Sequence, residues 1–282
     1  MSVETQATAA DSGAKATERF RANKSATSEV TTERVNRLAS RAIKALVDTV
    51  LEEKVTYEEY NALKAWLIEV GETGEWPLFL DVWVEHAVEE VANENREGSK
   101  GTIEGPYYVP ESPVMESPGT LPMRDDEPGT PLVLHGKVTK VDNSPLAGAK
   151  VEIWHADDLG FYSQFAPGIP EWNLRGTVLT DAEGRYEINT VQPAPYQIPT
   201  DGACGKLIEA AGWHAWRPAH LHLKVSADNH QLITTQLYLQ AGEHLSDDIA
   251  SAVKPELILN PQEKNDGSGK EVAYDFALAQ AN

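Results

Sequence analysis

Near residue 100 the hydrophobic period of this sequence changes from that of a helix to that of a strand. That switch confines the chain to a helical portion followed by an all-β portion. Before it, Val35, Leu38, Ala42, Ile43, Leu46 and Val50 recur on one helical stripe. Thr56-Tyr57-Glu58-Glu59 announces a second helix, because the Thr56 hydroxyl and the Glu59 carboxylate can each satisfy a free backbone donor of the other. Tyr60, Leu63, Leu67 and Val70 then share one side. A third helical run, about 77–97, opens on Pro77, a residue favoured in a first turn. Apolar helix faces of this kind need cover, from the rest of the chain or from a second subunit.

From about residue 132 the period is two. Segments 133–141, 149–154, 176–180, 185–190, 219–226, 232–239, 257–259 and 274–278 read as short strands between polar turns. The pair 176–180 and 185–190, joined by Asp181-Ala182-Glu183-Gly184, reads as a hairpin. Short strands at this spacing predict a β-sandwich. The expected architecture is mainly β with an α-helical N-terminal portion. It divides into a loosely packed N-terminus (1–24), a helical linker and dimerisation domain (25–105) and a β-sandwich domain (106–282).

Charge and cysteine content narrow the function. A formal net charge of -20 argues against a nucleic-acid partner, which needs clustered Lys and Arg to replace phosphate counterions. It disfavours an anionic membrane surface as well. The first residues lack the apolar core of a secretory signal, and no run of eighteen apolar residues predicts a membrane span. The single cysteine, Cys204, excludes an intrachain disulfide and points to a reducing compartment, so the expected location is the cytoplasm. Cys204 lies in the turn-like Asp201-Gly202-Ala203-Cys204-Gly205 and is read as an inert thiol.

The chemistry concentrates in Arg217-Pro218-Ala219-His220-Leu221-His222-Leu223. Residues two apart on a strand point to one face, so both imidazoles aim at the same place while the leucines face the other way. A metal wants two ligands arranged this way on a rigid element, yet two satisfied polar residues beside a cleft give the same pattern. Two tyrosines change the balance. Tyr162 directly follows the strand that ends in Trp154-His155, and Tyr196 lies in the proline-rich loop 191–199. Each tyrosine alone reads as an ordinary half-buried aromatic residue. Together with His-x-His they form a set.

Gly105-Pro106-Tyr107-Tyr108, Trp154-His155-Ala156-Asp157, Arg175-Gly176-Thr177, Thr180-Asp181-x-x-Gly184-Arg185-Tyr186 and Arg217-Pro218-Ala219-His220-Leu221-His222 closely resemble the intradiol ring-cleavage dioxygenases, with the catechol 1,2-dioxygenase branch nearest. The resemblance covers residues 100–280 and extends more loosely through the helices. It implies that Tyr162, Tyr196, His220 and His222 hold a non-haem Fe(III), a small hard ion suited to anionic phenolate oxygens. It also implies that catechol binds as a dianion, displacing Tyr196, which then accepts a substrate proton. O2 attacks the ring, and the product is cis,cis-muconate. Arg217 matches the arginine that stabilises negative charge on the ring, and Gln236 matches a glutamine that orients a ligand or substrate oxygen.

By the same resemblance Leu78, Asp81, Ile103, Gly105, Pro106, Tyr107, Ile198, Ile249 and Ala250 line the ring pocket. Asp81 weakens the choice of plain catechol, since relatives acting on hydroxyquinol or chlorinated catechols can carry an acid there. The helical extension leans back toward catechol. The expectation is a catechol-cleaving enzyme of aromatic-compound degradation, a homodimer through its N-terminal helices, with a phospholipid enclosed at the dimer interface. The alternatives are a chlorocatechol or hydroxyquinol 1,2-dioxygenase and, from a different class, a metal-free transthyretin-like β-sandwich binding module.

Overall fold

The computed structural model describes Glu18, residues 30–240 and residues 242–281, and between residues 30 and 113 of these, four helices precede the sheets. The stretch 1–24, expected to be loosely packed, lies outside the described residues apart from Glu18, as do residues 25–29. Helix α1 (Thr32–Glu52) starts where the Thr31 hydroxyl accepts the Arg34 N–H, and none of its side chains is buried. Its predicted stripe faces outward, with Leu46 65% exposed. Helix α2 (Tyr57–Glu72) carries the expected capping box, Thr56 and Glu59 each accepting the other's backbone N–H.

The third run is not one helix. It divides into α3 (Trp76–Trp83) and α4 (Glu85–Asn93), broken at Val84, whose φ of -126° is not helical. The break keeps Leu78 and Val82 in the core while the Glu85 carboxylate turns to accept the N–H groups of Glu104 and Gly105.

The strands form two six-stranded sheets and a short ribbon. The first sheet runs β1 (Val114–Glu116), β5 (Arg175–Leu179), β4 (Lys150–His155), β9 (His220–Ser226), β10 (Ile233–Leu239) and β11 (Ile258–Leu259). The second runs β12 (Gln262–Glu263), β13 (Lys270–Ala273), β3 (Pro131–Lys140), β6 (Arg185–Val191) and β2 (Gly119–Thr120), with β14 (Phe276–Leu278) also pairing β3. Both β13 and β14 lie parallel to β3. The ribbon joins β7 (Tyr196–Gln197) to β8 (Trp216–Arg217).

Between the sheets Leu134, Val138 and Ile188 meet Val151, Ile153, Val178, Leu221, Leu223 and Val225. Three of these aliphatic residues come from β9. Each is worth about 1.5–3 kcal/mol of burial, enough to fix the strand's register and with it the direction of His220 and His222.

The expected hairpin over 176–190 does not form, because β5 and β6 belong to different sheets. Gly184 explains the divergence. At φ +72° it passes so close to β3 that an added Cβ would stand 2.6 Å from the Val138 carbonyl oxygen, and Val138 donates to the Gly184 carbonyl at 2.7 Å. The turn thus delivers the chain onto β3.

Cys204 does not sit in a turn. It occupies the first turn of helix α5 (Ala203–Ala211), where the buried Glu75 carboxylate accepts the N–H groups of Ala203 and Cys204 at 2.9 Å each. Gly212, at φ +67°, ends that helix.

Replacing Gly184 by Ala forces a side chain into both a left-handed backbone and a carbonyl oxygen, so the chain should lose about 2–3 kcal/mol of stability. Urea unfolding measures it, and an unchanged midpoint would contradict the role given to this glycine.

Candidate metal centre

Two loops and one strand bring the chemical side chains together. After β4, the Asp157 carboxylate accepts the N–H groups of Leu159 and Phe161 at 3.0 and 2.9 Å and pairs with Arg124 at 3.0 Å. This folds a tight loop that presents Tyr162. The Asp157 carbonyl also accepts the Ala194 N–H at 3.2 Å, tying in the proline-rich loop that carries Tyr196. Gly160, at φ +87°, lets the loops touch: an added Cβ would lie 2.8 Å from the Tyr196 Cβ. The imidazoles of His220 and His222 leave β9 on the side opposite Leu221 and Leu223, which lie in the inter-sheet core.

His220 Nε2 and His222 Nε2 stand 2.9 Å apart, and His222 Nε2 stands 3.1 Å from the Tyr162 hydroxyl. The Tyr196 ring lies 5.4 Å from that of Tyr162 and 5.6 Å from that of His220. All four residues are at most 4% exposed. The four predicted ligand residues therefore converge on one dry point.

Burial governs their protonation. It drives the Tyr162 phenol well above its ordinary range and raises that of Tyr196, where the Arg217 charge works against the rise. It lowers His220 to about 3 and His222 well below the usual histidine range. Two neutral imidazoles thus face two phenols that only a strong positive charge would ionise. His220 Nδ1 donates to the Pro218 carbonyl at 2.7 Å, so its Nε2 lone pair points into the site. Two nitrogens about 2.1 Å from a common ion and at right angles lie about 3 Å apart. The donor set and its spacing fit a metal ion, and the phenols favour a hard trivalent one.

Arg217 and Gln236 sit directly behind. Gln236 lies opposite His222 across the β9–β10 ladder. It donates to the Ile103 carbonyl, accepts from Arg217 Nη2 and Tyr238, and places its Nε2 3.3 Å from His222 Nδ1. Sequence reasoning missed three neighbours. Asp248 grips Arg217 through two oxygens at 3.0 Å each. Tyr238 was legible, since it shares a strand face with Gln236 two residues away. Trp154 stacks on His222 with ring centroids 4.8 Å apart and planes 11° apart.

Leu78, Ile103, Tyr107, Ile198 and Ala250 share one buried cluster with Tyr162 and Tyr196, and Ile249 packs against it. Tyr107 stacks on Tyr162 at 4.5 Å. Gly105 approaches the site closely enough that a Cβ there would meet His222 Cε1 at 3.5 Å, and Pro106 follows it into the turn that carries Tyr107. Asp81 stands one step back, within the field of Glu85 and Glu104.

A second cluster, His214, His244 and Asp247, gathers at the surface. There the Trp216 N–H donates to His214 Nδ1 at 3.1 Å, so His214 Nε2 carries the hydrogen that faces Asp247 at 3.2 Å. That arrangement is a hydrogen-bonded pair with no lone pair left on His214 for an ion.

Two family models match the sequence. "Catechol dioxygenase N terminus" covers residues 32–100 and "Dioxygenase" covers residues 103–280. The chain belongs to the intradiol ring-cleavage dioxygenases. Among its relatives, the chlorocatechol 1,2-dioxygenase of Rhodococcus opacus is 38% identical over 82% of this chain and 92% of that protein. Catechol 1,2-dioxygenase 1 of Acinetobacter lwoffii is 38% identical over 86% of this chain and 79% of that protein. The solved structure of 3-chlorocatechol 1,2-dioxygenase from Rhodococcus opacus 1CP superposes with a TM-score of 0.86 at 44% identity, over 89% of this chain and 100% of that one. As in those intradiol dioxygenases, the fold is mainly β behind a helical N-terminal portion.

In this dioxygenase two half-buried acids of the helical portion, Asp81 and Glu85, are pushed well above the ordinary carboxyl range. Burial, then the charges of Glu85 and Glu104, push Asp81 up to about 8. Burial pushes Glu85 up to about 7 against the two N–H groups it accepts. Unfolded carboxyls release their protons near pH 4, so between about pH 4 and 8 the folded chain holds protons that the unfolded chain has lost. Stability should therefore fall as pH rises through that window. Asp81→Asn should flatten the decline of the urea midpoint between about pH 5 and 8; an unaltered slope would assign the decline to other groups.

Proposed function

We propose that this chain cleaves catechol between its two hydroxylated carbons, adding both atoms of O2 to give cis,cis-muconate, with Tyr162, Tyr196, His220 and His222 holding a non-haem Fe(III). The observation that carries this reading is the meeting of two phenols and two neutral imidazoles at one buried point beside a buried arginine. When bound, ferric iron would supply Lewis acidity toward the diol oxygens and accept electron density from the ring, opening it to O2.

The chain's own residues do the rest. The Arg217 charge reaches both phenols but ranks higher among the influences on Tyr196, which also hydrogen-bonds to Arg217, so Tyr196 is the better placed of the two to serve as phenolate base and take a proton from the diol. Arg217 presents a permanent charge, fixed before the substrate arrives, to the ring that gains electron density; such preorganised donors are worth roughly 10²–10³ in rate. Gln236 ties Arg217 to the backbone of Ile103, and the pocket residues Leu78, Asp81, Ile103, Gly105, Pro106, Tyr107, Ile198, Ile249 and Ala250 hold the planar ring and exclude water.

A preference for chlorinated catechols is a second reading, and two observations favour it. By the family resemblance Asp81 falls at a pocket position where relatives acting on chlorinated catechols can carry an acid, and this chain spans 92% of the Rhodococcus opacus chlorocatechol enzyme against 79% of the Acinetobacter lwoffii catechol enzyme. We further assign residues 25–105 as the linker and dimerisation domain and residues 106–282 as the catalytic domain. The exposed apolar residues of α1, among them Val35, Leu38, Ile43 and Leu46, would pair with a second copy, and a phospholipid would fill the space between. No helix among the described residues is long and apolar enough to cross a membrane, and buried Cys204 suits the reducing cytoplasm in which we place the enzyme.

Purified protein should be wine-red from phenolate-to-iron charge transfer, where a metal-free binding module would be colourless. Tyr162→Ala and His222→Ala should each lose iron and colour together; stoichiometric iron in either variant would reject the ligand set. A panel of catechol, methylcatechols, chlorocatechols and hydroxyquinol, followed by O2 uptake and product absorbance, should show catechol turned over. A higher kcat/KM for chlorocatechols would select the second reading, and turnover of hydroxyquinol alone would reject both. Light scattering should give a dimer for the native chain and a monomer for Leu38→Glu/Leu46→Glu. A native monomer would reject the dimer, and lipid extraction with mass spectrometry tests the phospholipid.

A further inference from the structure

Arg217 is a buried cation with a choice of edges, and the side chains behind it decide which edge the site receives. Its Nε and Nη2 donate to Asp248 Oδ1 and Oδ2 at 3.0 Å each, and Nη2 also donates to Gln236 Oε1 at 2.9 Å. Nη1 faces the other way, 3.4 Å from His220 Nε2. Asp248 is itself held from behind, its oxygens accepting the N–H groups of Ala250 at 3.1 Å and Ala252 at 3.2 Å. The same segment is tied to β8 by the Ile249 N–H on the Trp216 carbonyl, and to the 101–103 strip by the Thr102 hydroxyl on the Ala252 carbonyl. Residues 249 and 250, which flank the apolar pocket, follow Asp248 directly. One carboxylate therefore orients the guanidinium, and it is itself anchored by a segment that Trp216 and Thr102 hold independently.

We propose that Asp248 is a positioning residue for ring cleavage: it holds Arg217 by the Nε–Nη2 edge so that Nη1 alone is turned toward the bound diol. This rests on the function proposed above. Asp248 touches neither substrate nor ion and acts through Arg217. An alternative hold, with the guanidinium turned about its long axis, would leave the positive charge in the site but carry its donor away from the ring. Displacement of a catalytic group by about 1 Å can cost about a hundredfold in rate. A buried arginine with a bidentate partner is also geometrically specific in a way that a lysine would not be.

The test is a double-mutant cycle on the iron-loaded enzyme, read by kcat, KM, iron per chain and the visible band. Asp248→Asn should lower kcat about a hundredfold with KM within about threefold of the native value, full iron and an unmoved visible band. In an Arg217→Gln background the same change should lower kcat no further, because coupled residues are non-additive. Native kcat in Asp248→Asn, a decrease that multiplies with that of Arg217→Gln, or loss of iron would each overturn the positioning role. Should Asp248→Asn fail to fold, Asp248→Glu takes its place: the charge is kept and the carboxylate displaced, so kcat should fall at least about tenfold at full iron, and a native kcat overturns the proposal. Native enzyme that cleaves none of the diols overturns the proposed function and the positioning role with it, whereas active native enzyme with fully active Asp248 variants overturns the role of Asp248 alone.

Discussion

A strand hydrogen-bonded on both sides cannot slip by one residue without exchanging its faces, and β9 is such a strand, paired with β4 and β10. Leu221, Leu223 and Val225 are fully buried on its inner face, so the exchange would drive imidazoles into the inter-sheet core. The register of the sandwich is thus the same fact as the aim of His220 and His222. Neighbouring strands inherit it. Gln236 faces His222, Tyr238 faces His220, and Trp154 stacks on His222 only because those pairings hold.

Around that fixed point the protein assembles groups that burial has made neutral. Phenols raised and imidazoles lowered form a set without ionic charge of its own, next to one arginine compensated by one aspartate. A buried ion pair is costly to create but specific once its hydrogen bonds are complete. Here both members have them, from Gln236 on one side and the amides of residues 250 and 252 on the other. Such a site is rigid before any ligand enters, which is the condition for fixed charges to act on a reaction.

Much of this was legible in the sequence, for identifiable reasons. The period-two alternation of β9 and the capping box of α2 are local signals and appear as expected. The tyrosines were found by their family context, since a lone tyrosine has no local signature of ligation. The failures are equally physical. The break at Val84 depends on what Glu85 finds at residues 104 and 105, and the hairpin over 176–190 was lost to a close approach between Gly184 and β3, neither of which local propensity contains. Helix α5 had its signal in Gly212, a left-handed terminator, but the polar turn before it dominated the reading. Asp248 lay beside two pocket residues and still went unnoticed, because its partner Arg217 is thirty-one positions away.

The placement of β3 has a consequence for how the chain reaches this state. Its neighbour β6 is synthesised soon after it, but β13 and β14 come from far along the chain, with Lys137 donating to Asp275 across 138 residues. Until those segments emerge, one edge of a ten-residue strand with one apolar face stands open, offering unpaired amides to any other nascent strand. Contacts of such separation are also slow to close. Expression yield for this protein should therefore respond to chaperone supply and to growth temperature, with losses arising during assembly even when the finished molecule is sound.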